Sequence, residues 1–142
     1  MSKVLGTRSK ENLKGVHPNL VKVMTTAITN SPIDFTITEG VRTTQEQQAL
    51  YAQGRSTKGM IVTTKDGVKN KSNHQAKTDG FGHAVDLYPY VDGKVNVLEK
   101  STVSNLKKIA VHIKAVAKEL GIGITWGGDW KSPYDPPHFE LK

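Results

Sequence analysis

Apolar residues recur at helical spacing in three parts of the chain, and this pattern predicts three helices. The first begins at Pro18, since proline at a first helical position gives up no hydrogen bond. The second covers residues 44–53 and follows Thr43, which is placed to cap it. The third and longest covers residues 102–120 and ends at Gly121.

Five shorter segments are rich in β-branched or aromatic residues, which is typical of strands. They are residues 34–38, 60–62, 82–90, 122–126 and 138–141. The segment 60–62 is expected to be a minor strand, and the segment 82–90 the central one. Helices and strands mix without a regular βαβ alternation, so we expect the α+β class, with a small antiparallel sheet and about three helices.

The length of 142 residues suits a single domain with one core, and we expect residues 1–142 to form it. Residues 1–15 are polar and are expected to be loosely ordered. No apolar run reaches the roughly 20 residues that span a bilayer, and the start does not resemble a secretory signal peptide. We therefore expect a protein without stable membrane binding that stays in the cytoplasm until another factor releases it.

Composition restricts the chemistry that is available. Cysteine is absent, which excludes disulfides, thiolate zinc sites and cysteine nucleophiles, so a transition metal would need histidine and carboxylate ligands. The formal net charge of +7 favours anionic partners such as nucleic acid, membrane surfaces or cell-wall polymers. The lysines are scattered and aromatic residues make up only 6% of the chain, so we expect no nucleic-acid partner.

Three of the five histidines remain as candidates for chemistry, because His17 at a helix start and His112 on a polar helix face have structural explanations. Side chains alternate along a strand, so His83 and Asp86 point to opposite faces of the sheet. His74, in the loop before that strand, can fold back over Asp86. A loop histidine and a strand aspartate can form a pair of metal ligands, although spacing alone does not exclude a structural pair.

The segment Asp135-Pro-Pro-His138 places an acid and a histidine three residues apart on a backbone that two prolines restrict. A catalytic zinc needs three protein ligands, a water molecule and a nearby carboxylate that accepts the proton of that water. His138 can supply the third ligand and Asp135 the base. A proline-stiffened surface turn is the alternative, and spacing alone does not exclude it.

Five motifs follow one another along the chain: Gly40-x-Arg-Thr-x-x-x-Gln47, Ser72-x-His74, Gly82-x-Ala-x-Asp86, Trp126-Gly-Gly-Asp-Trp130 and Asp135-x-x-His138. Together they resemble the zinc D-Ala-D-Ala carboxypeptidase and dipeptidase family, and within it the phage endolysin branch, the L-alanyl-D-glutamate endopeptidases. Two features depart from the family pattern. Extra residues around 76–80 leave His83 open as an alternative ligand to His74, and the presumed base is aspartate where many relatives carry glutamate.

The resemblance implies a hedgehog/D,D-peptidase fold with one Zn²⁺ per chain. It assigns His74, Asp86 and His138 as zinc ligands, Asp135 and Arg42 as catalytic groups, and Arg42, Gln47, Ser72 and Trp126 as substrate-binding groups. Arg42 would stabilise the oxyanion or hold a substrate carboxylate. A surface salt bridge is the alternative for Arg42, and core packing is the alternative for Trp126.

The activity that the resemblance implies is hydrolysis of the L-Ala–D-Glu bond in the stem peptide of peptidoglycan, which lyses the bacterial cell wall. The alternatives are a D,D-carboxypeptidase or D,D-dipeptidase acting on D-Ala-D-Ala termini, and a non-catalytic wall-binding module. As a phage lysis enzyme, the protein would be a monomer in the host cytoplasm that reaches the periplasmic wall through a membrane pore.

Overall fold

A computed structural model describes residues 3–63, 65–131 and 134–142 of the protein. It contains four α-helices and five strands of the α+β class, as expected. The helices are α1 (Thr7–Asn12), α2 (Pro18–Ala27), α3 (Thr44–Ala52) and α4 (Thr102–Leu120), and the strands are β1 (Phe35–Glu39), β2 (Ala84–Val91), β3 (Lys94–Val95), β4 (Ile124–Trp126) and β5 (His138–Leu141). In the described part of the chain, no helix combines the length and the apolar character that crossing a membrane requires.

The sheet is antiparallel, with the strand order β1-β2-β5-β4, and β3 pairs with the far end of β2. The pairing of β2 with β5 sets Asp86 opposite His138. It also sets Val85 opposite Phe139, and both of these side chains are fully buried. Because side chains alternate along a strand, one face of this pair supplies the core and the other carries the polar groups.

The helices α2 and α4 pack against each other, and α4 also covers β2 and β4. Their apolar stripes supply Leu20, Met24, Ile109 and Ile113, all fully buried. Thr43 caps α3 in a capping box with Glu46, and Gly121 ends α4 in a left-handed conformation. These ends agree with the sequence prediction.

Residues 3–15 are packed against the fold, whereas loose order was expected for residues 1–15, of which residues 1 and 2 lie outside the described part of the chain. The helix α1 packs along β1, where Ser9 Oγ accepts a hydrogen bond from the backbone N–H of Ile37 (2.9 Å) and Asn12 Nδ2 donates to the Ile37 carbonyl (2.8 Å). Leu5 and Leu13 are buried in the core cluster. Two side chains of α1 thus occupy the hydrogen-bonding groups that an edge strand would otherwise expose.

The minor strand expected at residues 60–62 is absent from the structure. Met60, Ile61 and Val62 are 81%, 58% and 54% exposed and have no strand partner. The Met60 carbonyl instead accepts a hydrogen bond from the Gln53 side chain (2.9 Å). Strand preference reflects packing against neighbouring strands and burial, and these three side chains are exposed instead.

Candidate metal centre

Three side chains predicted as metal ligands converge at the polar face of the β2–β5 pair. Asp86 and His138 face each other across the ladder, and His74 comes from the loop before β2. A backbone hydrogen bond fixes the loop of His74, since the His74 carbonyl accepts it from the Arg42 N–H (2.8 Å). His74 Nε2 lies 3.2 Å from His138 Nδ1 and 3.4 Å from Asp86 Oδ1, and the last two atoms are 3.3 Å apart.

The outer nitrogen of each imidazole has an acceptor, which fixes the tautomer. His74 Nδ1 donates to the Gly40 carbonyl (3.0 Å), and His138 Nε2 donates to Glu140 Oε1 (2.7 Å). In neutral imidazoles the inner nitrogens then carry lone pairs. Asp86 Oδ1 is buried without a hydrogen-bond partner. Three lone pairs therefore face one another, an arrangement that repels unless a cation lies between them.

The dimensions of the triangle fit a metal ion. With sides of 3.2, 3.3 and 3.4 Å, its centre lies about 1.9 Å from each corner, the side divided by √3. Bonds from imidazole nitrogen and carboxylate oxygen to zinc are about 2.0–2.2 Å long, so the three atoms are close enough together to be ligands of one ion. His74, Asp86 and His138 can therefore hold a metal ion.

The charges around the triangle also favour a cation. Burial raises the pKa of the Asp86 carboxyl, but the His138 and His74 imidazoles outweigh this effect and hold that pKa well below its usual range. Burial lowers the pKa of His138, but Asp86 and Glu140 outweigh it and raise the pKa of His138 to about 9. The metal-free site thus attracts a proton to the place that a metal ion would take.

Asp135, the predicted base, lies beside the triangle. Its Oδ2 atom is 3.9 Å from His138 Nδ1, and 42% of its side chain is exposed. Burial raises the pKa of the Asp135 carboxyl, and the negative charge of Asp86 raises it further. A turn places it there, because its N–H donates to the Gly127 carbonyl (3.0 Å) and its carbonyl accepts from the His138 N–H (3.1 Å). The carboxylate is therefore close to the metal position and open to solvent.

Arg42, the second predicted catalytic group, donates a hydrogen bond from each of its three guanidinium nitrogens. Nε and Nη2 each donate to one carboxylate oxygen of Glu39 (2.8 Å), and Nη1 donates to Gln47 Oε1 (2.7 Å). Nη2 also lies 4.0 Å from Asp86 Oδ2. In this conformation the guanidinium group binds Glu39, and its positive charge lies next to the Asp86 carboxylate. Arg42 does form a salt bridge, to Glu39, but its own side chain is buried rather than on the surface.

Two predicted substrate-binding residues lie away from the solvent. Gln47 is fully buried, and its amide nitrogen donates to the Lys65 carbonyl (2.7 Å) and to Thr63 Oγ1 (3.1 Å). Trp126 is 7% exposed and belongs to the core, where it stacks on Phe139. Gln47 thus holds Arg42 through Oε1, and Trp126 packs as a core residue, the alternative considered for it; their part in substrate binding stays a prediction.

Two other side chains of the predicted motifs line the site. Ser72 Oγ accepts a hydrogen bond from the His74 N–H (3.1 Å), so it shapes the turn that presents His74. The ring of Trp130 lies 5.0 Å from the His138 ring. Trp130, rather than Trp126, is thus the tryptophan beside the metal position.

His83, the alternative ligand, belongs to a second cluster with His17 and Asp79. His17 Nδ1 accepts a hydrogen bond from the Asn19 N–H (3.0 Å), which puts the proton of the neutral ring on Nε2, facing Asp79. His83 Nε2 lies 2.7 Å from the Asp79 carboxylate. In the cluster of His17, His83 and Asp79, an N–H group points at the carboxylate. In the triad of His74, Asp86 and His138, lone pairs point at one another, so the triad is the better metal site.

His112, for which a structural explanation was expected, is half-buried, and its Nε2 atom lies 2.9 Å from the Ala27 carbonyl at the end of α2. Sequence reasoning missed Glu39 and Glu140, the two carboxylates that contact Arg42 and His138. A signal for Glu140 was available, because residues two apart on a strand share a face. The spacing of Glu39 from Arg42 gives no comparable signal.

Comparisons with known proteins give matches over most or all of the chain. Residues 1–141 match the family model described as phage L-alanyl-D-glutamate peptidase. The L-alanyl-D-glutamate peptidase of Escherichia phage T5 is 34% identical over 142 residues, which cover 100% of this chain and 91% of that protein. The peptidoglycan L-alanyl-D-glutamate endopeptidase CwlK of Bacillus subtilis is 38% identical over 117 residues, which cover 81% of this chain and 65% of CwlK. The crystal structure of the Serratia marcescens L-Ala D-Glu endopeptidase ChiX matches with a TM-score of 0.76 and 33% identity, covering 99% of this chain and 91% of that one.

Proposed function

The chain belongs to the phage L-alanyl-D-glutamate peptidase family, and we propose that it is a zinc peptidase that hydrolyses the L-Ala–D-Glu bond in the stem peptide of peptidoglycan. The observation that carries the proposal is the convergence of three inward lone pairs, from His74, Asp86 and His138, beside the Asp135 carboxylate. Three protein ligands with a neighbouring carboxylate are the donor set of a catalytic zinc site rather than a structural one.

The residues around the site have distinct tasks in this reaction. Bound zinc would supply Lewis acidity, which polarises a carbonyl group and acidifies water. The Asp135 carboxylate accepts the proton of the attacking water and passes it to the leaving amine. The positive charge of the Arg42 guanidinium stabilises the negative charge of Asp86. Because Glu39 already binds Nε and Nη2, Arg42 acts through this charge rather than by binding a substrate carboxylate.

The charge of the whole chain suits a peptidoglycan substrate. The net charge of +7 favours approach to the anionic cell wall. We propose that the enzyme acts as a monomer. We also propose that it lyses the host wall from the periplasmic side after release through a membrane pore.

The test combines metal analysis with product analysis. Purified protein should contain one zinc per chain, and digestion of sacculi should release new N-terminal D-Glu and C-terminal L-Ala ends, identified by mass spectrometry. Asp135→Asn should keep zinc and lose about 10²- to 10⁴-fold in turnover, the usual contribution of a general base. Glu119→Gln, at an exposed carboxylate far from the triad in sequence, is the control.

Other outcomes would redirect or reject the proposal. Loss of a terminal D-Ala would identify a D,D-carboxypeptidase or D,D-dipeptidase, and wall binding without cleavage would identify a non-catalytic module. Full activity of Asp135→Asn would remove this residue from the base role. Activity that survives complete metal removal would reject the zinc mechanism.

A further inference from the structure

Glu140 lies on the metal-binding face, two residues after His138 in β5, and contacts both segments that carry histidines of the triad. Its Oε1 atom accepts a hydrogen bond from His138 Nε2 (2.7 Å), and its Oε2 atom accepts one from Asn73 Nδ2 (2.8 Å). Asn73 directly precedes His74 in the chain, and its carbonyl accepts a hydrogen bond from the His83 N–H (2.8 Å) at the start of β2. One carboxylate thus links β5 to the loop of His74.

The hydrogen bond from His138 decides which of its nitrogens faces the triad as an acceptor. With the proton on Nε2, the lone pair of Nδ1 points toward His74 and Asp86. In the other neutral tautomer, an N–H group would occupy that place and exclude a metal ion. The Glu140 side chain is only 17% exposed, so water competes little with this hydrogen bond.

We propose that Glu140 is a positioning residue that fixes Nδ1 of His138 as a metal-binding atom and, through Asn73, holds the His74 loop at the matching distance. This role rests on the proposed zinc site. A carboxylate that accepts the outer N–H of a ligating imidazole also makes that imidazole a stronger donor to the metal. The second contact, to Asn73, extends the effect to the other histidine of the triad.

Zinc affinity of the purified chain, measured by competition with a chromophoric chelator, tests the proposal without relying on activity. Glu140→Ala should bind zinc about 10- to 100-fold more weakly, the usual effect of removing such a partner. Glu140→Gln should lose less, because its amide oxygen can still accept the His138 hydrogen bond but carries no charge. The exposed Glu119→Gln should keep the wild-type affinity.

A double variant tests whether the contacts of Glu140 with His138 and with Asn73 act together or independently. If Asn73 acts through Glu140, Asn73→Ala should weaken zinc binding in the wild-type background and have little further effect in Glu140→Ala. The absorption spectrum of the Co²⁺-substituted protein should change in Glu140→Ala and remain unchanged in Glu119→Gln, since it reports the ligand geometry. Circular dichroism of the metal-free variants checks that each one folds.

The results distinguish this inference from the proposed function. Zinc affinity of Glu140→Ala and Glu140→Gln equal to that of the wild type would overturn the positioning role and leave the zinc site intact. Should the alanine variant not fold, Glu140→Leu, which keeps most of the side-chain volume without an acceptor, decides, and an unchanged zinc affinity of that variant overturns the role. A wild-type protein that binds no zinc would instead reject the proposed function.

Discussion

At the scale of single residues, the direction of each hydrogen bond decides the role of a side chain. The imidazoles of His74 and His138 donate outward and leave lone pairs inward, whereas His17 accepts at its outer nitrogen and directs a proton at Asp79. Both clusters contain two histidines and one aspartate. Their backbone and side-chain neighbours, and not their composition, therefore separate a metal site from a hydrogen-bonded cluster.

Arg42 offers a test at this scale. Arg42→Lys keeps one positive charge but cannot hold both Glu39 oxygens and Gln47 at once, because lysine lacks the planar fork. The buried amide of Gln47 then loses a partner, and we expect a loss of about 1–3 kcal/mol in the free energy of unfolding. Urea denaturation measures it. Arg8→Lys, at an exposed position on α1, should change stability little, and an equal loss in both variants would contradict this account.

At the scale of elements, a close approach between α1 and the end of β1 supports the candidate metal centre. A Cβ atom on Gly40 would lie 1.7 Å from the Asn12 carbonyl oxygen, so only glycine fits between the two segments. The carbonyl of the same Gly40 accepts the hydrogen bond from His74 Nδ1 (3.0 Å). The packing of α1 and the orientation of His74 are thus connected through one residue.

Gly40→Ala should therefore affect stability and metal binding together. The added methyl group forces backbone to move, which typically costs about 1–3 kcal/mol in a packed region. Thermal melting of the metal-free variant and chelator competition for zinc measure the two effects. Gly6→Ala adds its methyl group where no atom lies within 4 Å and is the matched control. A stable Gly40→Ala protein with normal zinc affinity would show that the contact is not needed.

At the scale of the whole molecule, the metal ion should contribute to stability. A ligand that binds only the folded state stabilises it by about 2.7 kcal/mol at 100 times its Kd. Removing zinc with a chelator should lower the melting temperature by several degrees, and added zinc should restore it. His74→Ala should melt at the same temperature with and without chelator. A melting temperature of the wild type that ignores both treatments would mean that the folded chain binds no zinc.

Sequence reasoning predicted three of the four helices described, the sheet class and the triad because each depends on local spacing or on the resemblance. The alternation along β2 separated His83 from Asp86 without knowledge of the fold. The helix α1 escaped detection because its six residues include no apolar side chain, and the buried Leu5 and Leu13 lie outside it. The burial of Gln47 and Trp126 depends on loops and strands distant in sequence, which spacing along the chain does not report.

The β2–β5 pairing determines when the candidate centre can assemble. These strands join residues on either side of α4, so a long stretch of chain must be closed before Asp86 meets His138. Pairings between distant segments form late and slowly compared with local helices. During refolding, the helical circular dichroism signal should therefore return before the capacity to bind metal. The rate of metal uptake would then report the rate of the last folding step.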